Sequence, residues 1–228
     1  MSLLALDTAT NSLCLYVQSE SESRSLSLQA GLKHSERLMP AIRSVLGETG
    51  VEVQDLDTIV CSLGPGSFTG IRIGLATAKG LAAGIRARGR TCRLIGVSTL
   101  DGLAHRYRSF PGLVVAINPS LRNKHYAALY REGLRQGEYL ETLLPELAAD
   151  LPSRGPIMLT GAAARSLYEL MLTRSKPEDR VFVDESGQPG DIEGLAACGL
   201  AREGEEEQAE PEPLYLRRSE AEITFFGG

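Results

Sequence analysis

The stretch from Thr58 to Ala82 constrains the fold more than any other part of the chain. Thr58 to Ser62 reads as a buried strand, Leu63-Gly64-Pro65-Gly66-Ser67-Phe68-Thr69-Gly70 as a glycine-rich turn, and the residues after it as a long helix. On a wheel of about 100° per residue, Ile71, Leu75, Ala78 and Ala82 share one face, while Ile73, Ala76, Gly80 and Ala83 form a second. Only Arg72, Lys79 and Arg86 make a clear polar stripe. A helix apolar over most of its girth needs cover on more than one side. One cover is its own sheet; the second is either the helix predicted at about 35–48 or another chain. Gly70, Gly74 and Ala78, spaced by four, admit a close neighbouring backbone, which offsets the ~1 kcal/mol that a glycine costs a helix interior.

The turn sits where backbone N–H groups at a strand-to-helix junction can cradle a phosphate, but the motif tests fail. A P-loop needs Lys after its last glycine, and Ile71 follows Gly70. The dinucleotide fingerprint is broken by Ser67, Phe68 and Thr69 between its second and third glycines. A nucleophile elbow around Ser67 is excluded by Pro65. A shape-defined turn and a ligand loop both stay open. So do two readings of Asp7, which ends the first strand ahead of Thr8, Thr10 and Ser12: a carboxylate with hydroxyls for a metal–phosphate, or an ordinary Asx and Ser/Thr turn. His34, His105 and His125 share no metal-ligand spacing and no HExxH occurs. No zinc site is therefore expected, and nothing in the pattern presents a nucleophile.

Cys14, Cys61, Cys92 and Cys198 form no CxxC pair, the usage of a reducing cytoplasm. The net charge of −5 argues against a chain whose main task is gripping nucleic acid. Arg86, Arg88, Arg90 and Arg93 around Gly89 are a local exception, either a solvated loop after a helix or an RNA-facing edge. No apolar run reaches the ~20 residues a bilayer needs, and Met1 to Ala5 follows no basic segment, so neither a membrane partner nor a secretory signal is expected. The expected location is cytoplasmic.

Along the chain, strands are predicted at 3–7, 12–18 and 23–28, and a helix at about 35–48 with Ser35 as N-cap and Gly50 as its stop. Leu38, Ile42, Val45 and Leu46 share its apolar face, and Pro40 predicts a kink or a late start. After the strand at 94–97 the order begins again: strands at 113–118, 126–130 and 138–141, helices at 145–151 and 163–172, strands at 157–159 and 181–183. Both halves read strand, strand, strand, helix. This predicts a duplication, with domains at 1–105 and 106–228 and a boundary near 102–111. Residues 202–213, with six Glu and two Pro, read as a solvated acidic connection, after which Leu214-Tyr215-Leu216 docks as a short extended segment. Ile223, Phe225 and Phe226 dock or remain disordered.

Leu4-Ala5-Leu6-Asp7-Thr8-Ala9-Thr10, His34-Ser35-Glu36-Arg37-Leu38-Met39-Pro40 and Gly64-Pro65-Gly66-Ser67-Phe68-Thr69-Gly70-Ile71-Arg72-Ile73-Gly74 together resemble the TsaB (YeaZ) family, as does Pro213-Leu214-Tyr215-Leu216-Arg217. The resemblance implies an α/β, actin/Hsp70-like (ribonuclease H-like) fold of two related domains, with mixed sheets flanked by helices. It implies a part in making threonylcarbamoyladenosine at position 37 of tRNAs that read codons starting with A. In that family the chemistry belongs to a paralogue, TsaD; TsaB is its non-catalytic partner, an ATPase, TsaE, joins the pair, and TsaB alone self-associates through the same helices. Contact with tRNA is then indirect, through the complex. TsaD-like relatives place two histidines four apart on the corresponding helix, whereas Leu38 stands four after His34 here. Asn118 stands where an actin-like nucleotide site wants an acid, and Thr160-Gly161-Ala162 near where it wants paired glycines. Asp7, Thr8 and Thr10 are then a degenerate cofactor site. The implied partner surface takes in His34, Leu38, Ile42, Ser67, Phe68, Ile71, Arg72, Leu75 and Ala78. The rival readings are an actin-like kinase or ATPase working through Asp7 and the turn, a metallopeptidase, and direct tRNA binding by Arg86–Arg93.

Overall fold

A computed structural model describes residues 1–31, 33–174, 180–202 and 210–216. Arg217, Ile223, Phe225, Phe226 and the stretch 203–209 of the acidic connection lie outside the described residues.

The chain runs β1 (Leu3–Asp7), β2 (Ser12–Gln18), β3 (Ser23–Gln29), α1 (His34–Thr49), a 3-10 turn (Val53–Asp55), β4 (Thr58–Ser62), α2 (Phe68–Arg86), β5 (Arg93–Val97) and α3 (Thr99–His105). It continues through β6 (Leu113–Pro119), β7 (Lys124–Arg131), β8 (Leu134–Leu143), α4 (Leu144–Asp150), β9 (Ile157–Thr160), α5 (Ala164–Arg174), β10 (Val181–Val183) and α6 (Ile192–Ala201). The strands make two five-stranded sheets, ordered β3-β2-β1-β4-β5 and β8-β7-β6-β9-β10. In each, an antiparallel meander of three strands is joined to two parallel strands. The second sheet repeats the order of the first, which is the duplication that element order predicts.

In the first sheet the two faces of β1 separate cleanly. Leu4 and Leu6 enter a core shared with Leu38, Ile42 and Val45 of α1 and Leu75, Ala78 and Ala82 of α2. Leu3 and Ala5 point to the other face and meet Leu195 and Ala196 of α6. A strand buried on both faces reads as a continuous apolar run, as Leu3 to Leu6 does. In the second sheet Val115, Ile117, Leu159 and Leu167 form the core under α4 and α5.

The chain separates into two compact units. The first is Met1–Gly102 joined by Asp191–Leu214; the second is Leu103–Gly190 with Tyr215. This corrects the expected span 106–228: α6 returns to the first unit because its apolar side covers β1, β2, β4 and β5. Gly199 allows the close approach, since a Cβ there would lie 2.4 Å from Val60 Cγ2.

Other local expectations also shift. The first helix begins at His34 rather than at a Ser35 cap, its N-cap Lys33 offers no side-chain bond, and it runs through Pro40 without a break. Burial of Leu38, Ala41, Ile42, Val45 and Leu46 outweighs the one hydrogen bond that proline removes. Gly50 stops the helix in the left-handed region, at φ 66°. The strand expected at 138–141 is the ten-residue β8, whose pairing shifts register between Ala127 and Leu129 near Gly137. A bulge with glycine at positive φ breaks the alternation by which a strand is recognised. No described helix is long and apolar enough to cross a membrane.

Candidate functional site

The glycine turn is filled by the chain itself. The hairpin turn after β1 presses its carbonyls into the head of α2: Ser67 N donates to Ala9 O at 2.6 Å and Thr8 Oγ1 donates to Gly70 O at 2.7 Å. A Cβ on Gly66 would lie 2.1 Å from Ala9 O, and one on Gly70 would lie 2.0 Å from Thr8 O. Ser67 caps the helix by accepting from Gly70 N at 3.2 Å. These N–H groups, which a phosphate would need, already have partners. The Ser67 and Gly70 ends of the turn are therefore packed closely on Thr8 and Ala9.

Asp7, Thr8 and Thr10 form an inward-folded turn. The Asp7 carboxylate is 5% exposed and accepts from Ala9 N at 2.8 Å, which is an Asx turn. Thr10 Oγ1 accepts from Ser12 N at 3.2 Å. Burial pushes the Asp7 carboxyl above its ordinary range, opposed by the Ala9 N–H, the Ser62 hydroxyl and the charge of His34. His34, also 5% exposed, has no hydrogen-bond partner for Nε2 among the described residues. No group of three or more His, Cys, Asp or Glu that could hold a metal is found among the described residues.

In the second unit the region expected to lie near an adenosine is closed in a similar way. Asn118 Oδ1 accepts from Ala162 N at 3.0 Å, and its Nδ2 donates to Pro189 O at 2.6 Å. Gly161 sits at φ 102° against the Ile117 carbonyl. The arginines at and just after the end of α2 are tied to their own unit: Arg86 Nε donates to Cys92 O at 2.9 Å, Arg88 to Gln54 at 2.8 Å, and Arg90 pairs with Asp55 at 2.8 Å.

The residues expected on the partner surface divide. Leu38, Ile42, Ile71, Leu75 and Ala78 are at most 5% exposed and belong to the core of the first unit or its edge, and His34 is buried beside them. They are not surface anchors. The reason is the phase of α2: its bulkier stripe turns to the sheet and α1, and its small-residue stripe turns outward. Ser67 and Arg72 are exposed and Phe68 is half-buried, with the Arg72 guanidinium 3.9 Å from the centre of the Phe68 ring. The outward face is Thr69, Arg72, Ala76, Gly80, Ala83 and Gly84, edged by half-buried Ile73 and Leu81; Pro40 and half-buried Met39 lie on the outer side of α1, which touches α2. Side-chain volume was the available signal: Ile71, Leu75 and Ile85 outweigh Ala76, Gly80 and Ala83, so the heavier stripe belongs inside.

The family model described as "TsaD: tRNA N6-adenosine threonylcarbamoyltransferase" matches residues 28–149, more than half of the chain. The chain is 29% identical to the "tRNA threonylcarbamoyladenosine biosynthesis protein TsaB" of Bacillus subtilis, over 99% of this chain and 98% of the relative. The chain belongs to the TsaB (YeaZ) branch of this family. The solved structure "YeaZ from Pseudomonas aeruginosa" superposes with a TM-score of 0.76 at 27% identity, covering 94% of this chain and 99% of that one. A filament of AlfA from a B. subtilis plasmid superposes at a TM-score of 0.50 with 11% identity over 89% of this chain and 99% of that one, a likeness of fold alone. The fold is the α/β, actin/Hsp70-like one that the TsaB motifs imply.

Proposed function

We propose that the chain serves the formation of threonylcarbamoyladenosine in tRNA as a non-catalytic subunit that docks a TsaD-type paralogue on the outer faces of α1 and α2. One observation carries this reading. The face of α2 made by Ala76, Gly80 and Ala83 is exposed, and Gly80 and Gly84 line a concavity beside Val53 and Arg88, while at the turn the Ser67 and Gly70 N–H groups and the Asp7 carboxylate are engaged in internal hydrogen bonds. Two exposed glycines and two alanines in adjacent turns let another helix come close, and an arginine stacked on an aromatic ring at the border suits the composition of interfaces. A TsaE-type ATPase joins the pair, and tRNA meets the chain only through the complex.

Purified chain mixed with a TsaD-type paralogue forms a heterodimer on size-exclusion chromatography at micromolar concentration. Ala76→Arg, which places a long cation on the docking face and touches no core residue, abolishes it. Retention of the heterodimer by that variant moves the contact elsewhere; no heterodimer with the unaltered chain ends the reading.

A further inference from the structure

The described segment Glu210–Leu214 crosses the first unit as a strap, and three contacts hold it. Leu214 N donates to Leu63 O at 2.9 Å, at the head of the glycine turn. Glu210 Oε2 pairs with Lys79 Nζ of α2 at 3.1 Å. Pro211 lies on bare Gly96 in β5, where any Cβ would come within 2.8 Å of its own. Beside it Arg202 donates to Gly96 O at 2.7 Å and pairs with Asp101 at 3.1 Å. The strap therefore ties together the head of the glycine turn that leads into α2, the middle of α2 and the edge strand β5. Its hold is slight: the pairing side chains are 35% and 74% exposed, and Pro211, Pro213 and Leu214 are only half-buried. On the helix wheel Lys79 lies next to Arg72 and Ala83, at the border of the exposed face.

We propose that Glu210–Leu214 is a salt-sensitive latch that sets the pose of α2, and that a TsaD-type paralogue docks on α2 when the latch is closed. This rests on the docking face assigned above. The physical logic is preorganisation: fixing the turn ahead of α2 at Leu63, and α2 itself at Lys79, before encounter removes an ordering cost from binding. An exposed ion pair is weak and screened by salt, so the latch opens easily and by ionic strength. Gly96 is the seat that the strap requires, since a Cβ there would lie 2.6 Å from Leu63 Cδ1 and 2.8 Å from Pro211 Cβ and so crowds both the strap and the residue whose carbonyl holds it.

The test uses the full chain. Residue-resolved amide exchange reads the Leu214 N–H, and titration calorimetry reads affinity for the paralogue. Glu210→Lys speeds exchange at Leu214 by about two- to fivefold, the scale of one exposed pair, and Lys79→Glu in the same chain reverses it. Raised salt speeds exchange in the unaltered chain and does so less in Glu210→Lys. Gly96→Ala opens the strap sterically without changing a charge, and both it and Glu210→Lys weaken paralogue binding. Unchanged exchange at Leu214 in both single variants overturns the latch. Faster exchange with unchanged affinity overturns its link to docking. An unaltered chain with a closed strap and no affinity for the paralogue instead overturns the docking face, and the link with it.

Discussion

At the scale of single residues, glycine spacing alone cannot tell a close approach from an open surface, and the structure separates the two on one helix. Gly70 and Gly80 both lie in α2. A Cβ on Gly70 meets Thr8 O at 2.0 Å, whereas one on Gly80 meets nothing within 4 Å. Gly70→Ala therefore forces the β1–β2 turn away from α2 and lowers stability by about 2 kcal/mol or more. Gly80→Ala raises it by up to about 1 kcal/mol through helix propensity. Urea midpoints with unchanged slope check both signs. Asp7 gives a pH prediction. Its carboxyl is raised chiefly by burial, so the unfolded chain releases the proton first, near the ordinary ~3.9. Between that value and the raised native one the folded chain binds more protons, and stability falls as pH rises, levelling off above the native value. Asp7→Asn keeps an acceptor for the Ala9 N–H and flattens this slope. An unaltered slope from about pH 4 upward in the variant places the titration elsewhere.

At the scale of elements, what was legible depended on whether an element's own residues decide its pattern. β1, β2, β4 and β10 stand at the predicted residues because continuous apolar or alternating runs specify them. α2 was legible as a helix but not in phase, since both of its stripes count as apolar and only volume ranks them. That ambiguity put Ile71, Leu75 and Ala78 on the wrong side of the surface, while Leu38 and Ile42 are the core stripe of α1 itself. α6 escaped altogether: Leu195, Ala196 and Gly199 are buried against Leu3, Ala5, Val60 and Val97 of a sheet from far earlier in the sequence, a partner no local window contains. The N-terminus of α2 offers a test of local control. Ser67 Oγ supplies the only side-chain cap among the described contacts of that end. Ser67→Ala costs about 1 kcal/mol, while Ser67→Asp restores the cap. Thermal midpoints of the two variants measure it, and equal loss in both assigns the effect to packing on Ala9 instead.

At the scale of the whole molecule, the duplication could be read from element order because two copies of strand, strand, strand, helix repeat it. The return of Asp191–Leu214 to the first unit could not, because it is fixed by contacts with β5, Leu63 and Lys79 that come from far along the chain. The same two glycine-floored junctions recur in the units, Gly70 under Thr8 and Gly161 under Ile117, and each is closed by its own backbone or by Asn118. Among the described residues, groups at both junctions are paired within the chain, and the Ala76, Gly80 and Ala83 face of α2 is exposed; the docking face proposed above can also be covered by the helix pair of a second copy. Such cover predicts that the chain alone self-associates weakly through α1 and α2 and that a TsaD-type paralogue displaces the second copy. Because association stabilises only folded chains, the thermal midpoint rises with protein concentration. Ala76→Arg removes that dependence and sediments as a monomer, and added paralogue converts dimer to heterodimer in the unaltered chain. A dimer that survives Ala76→Arg, or that persists beside saturating paralogue, uses another surface, and α2 then loses its claim to be the shared one.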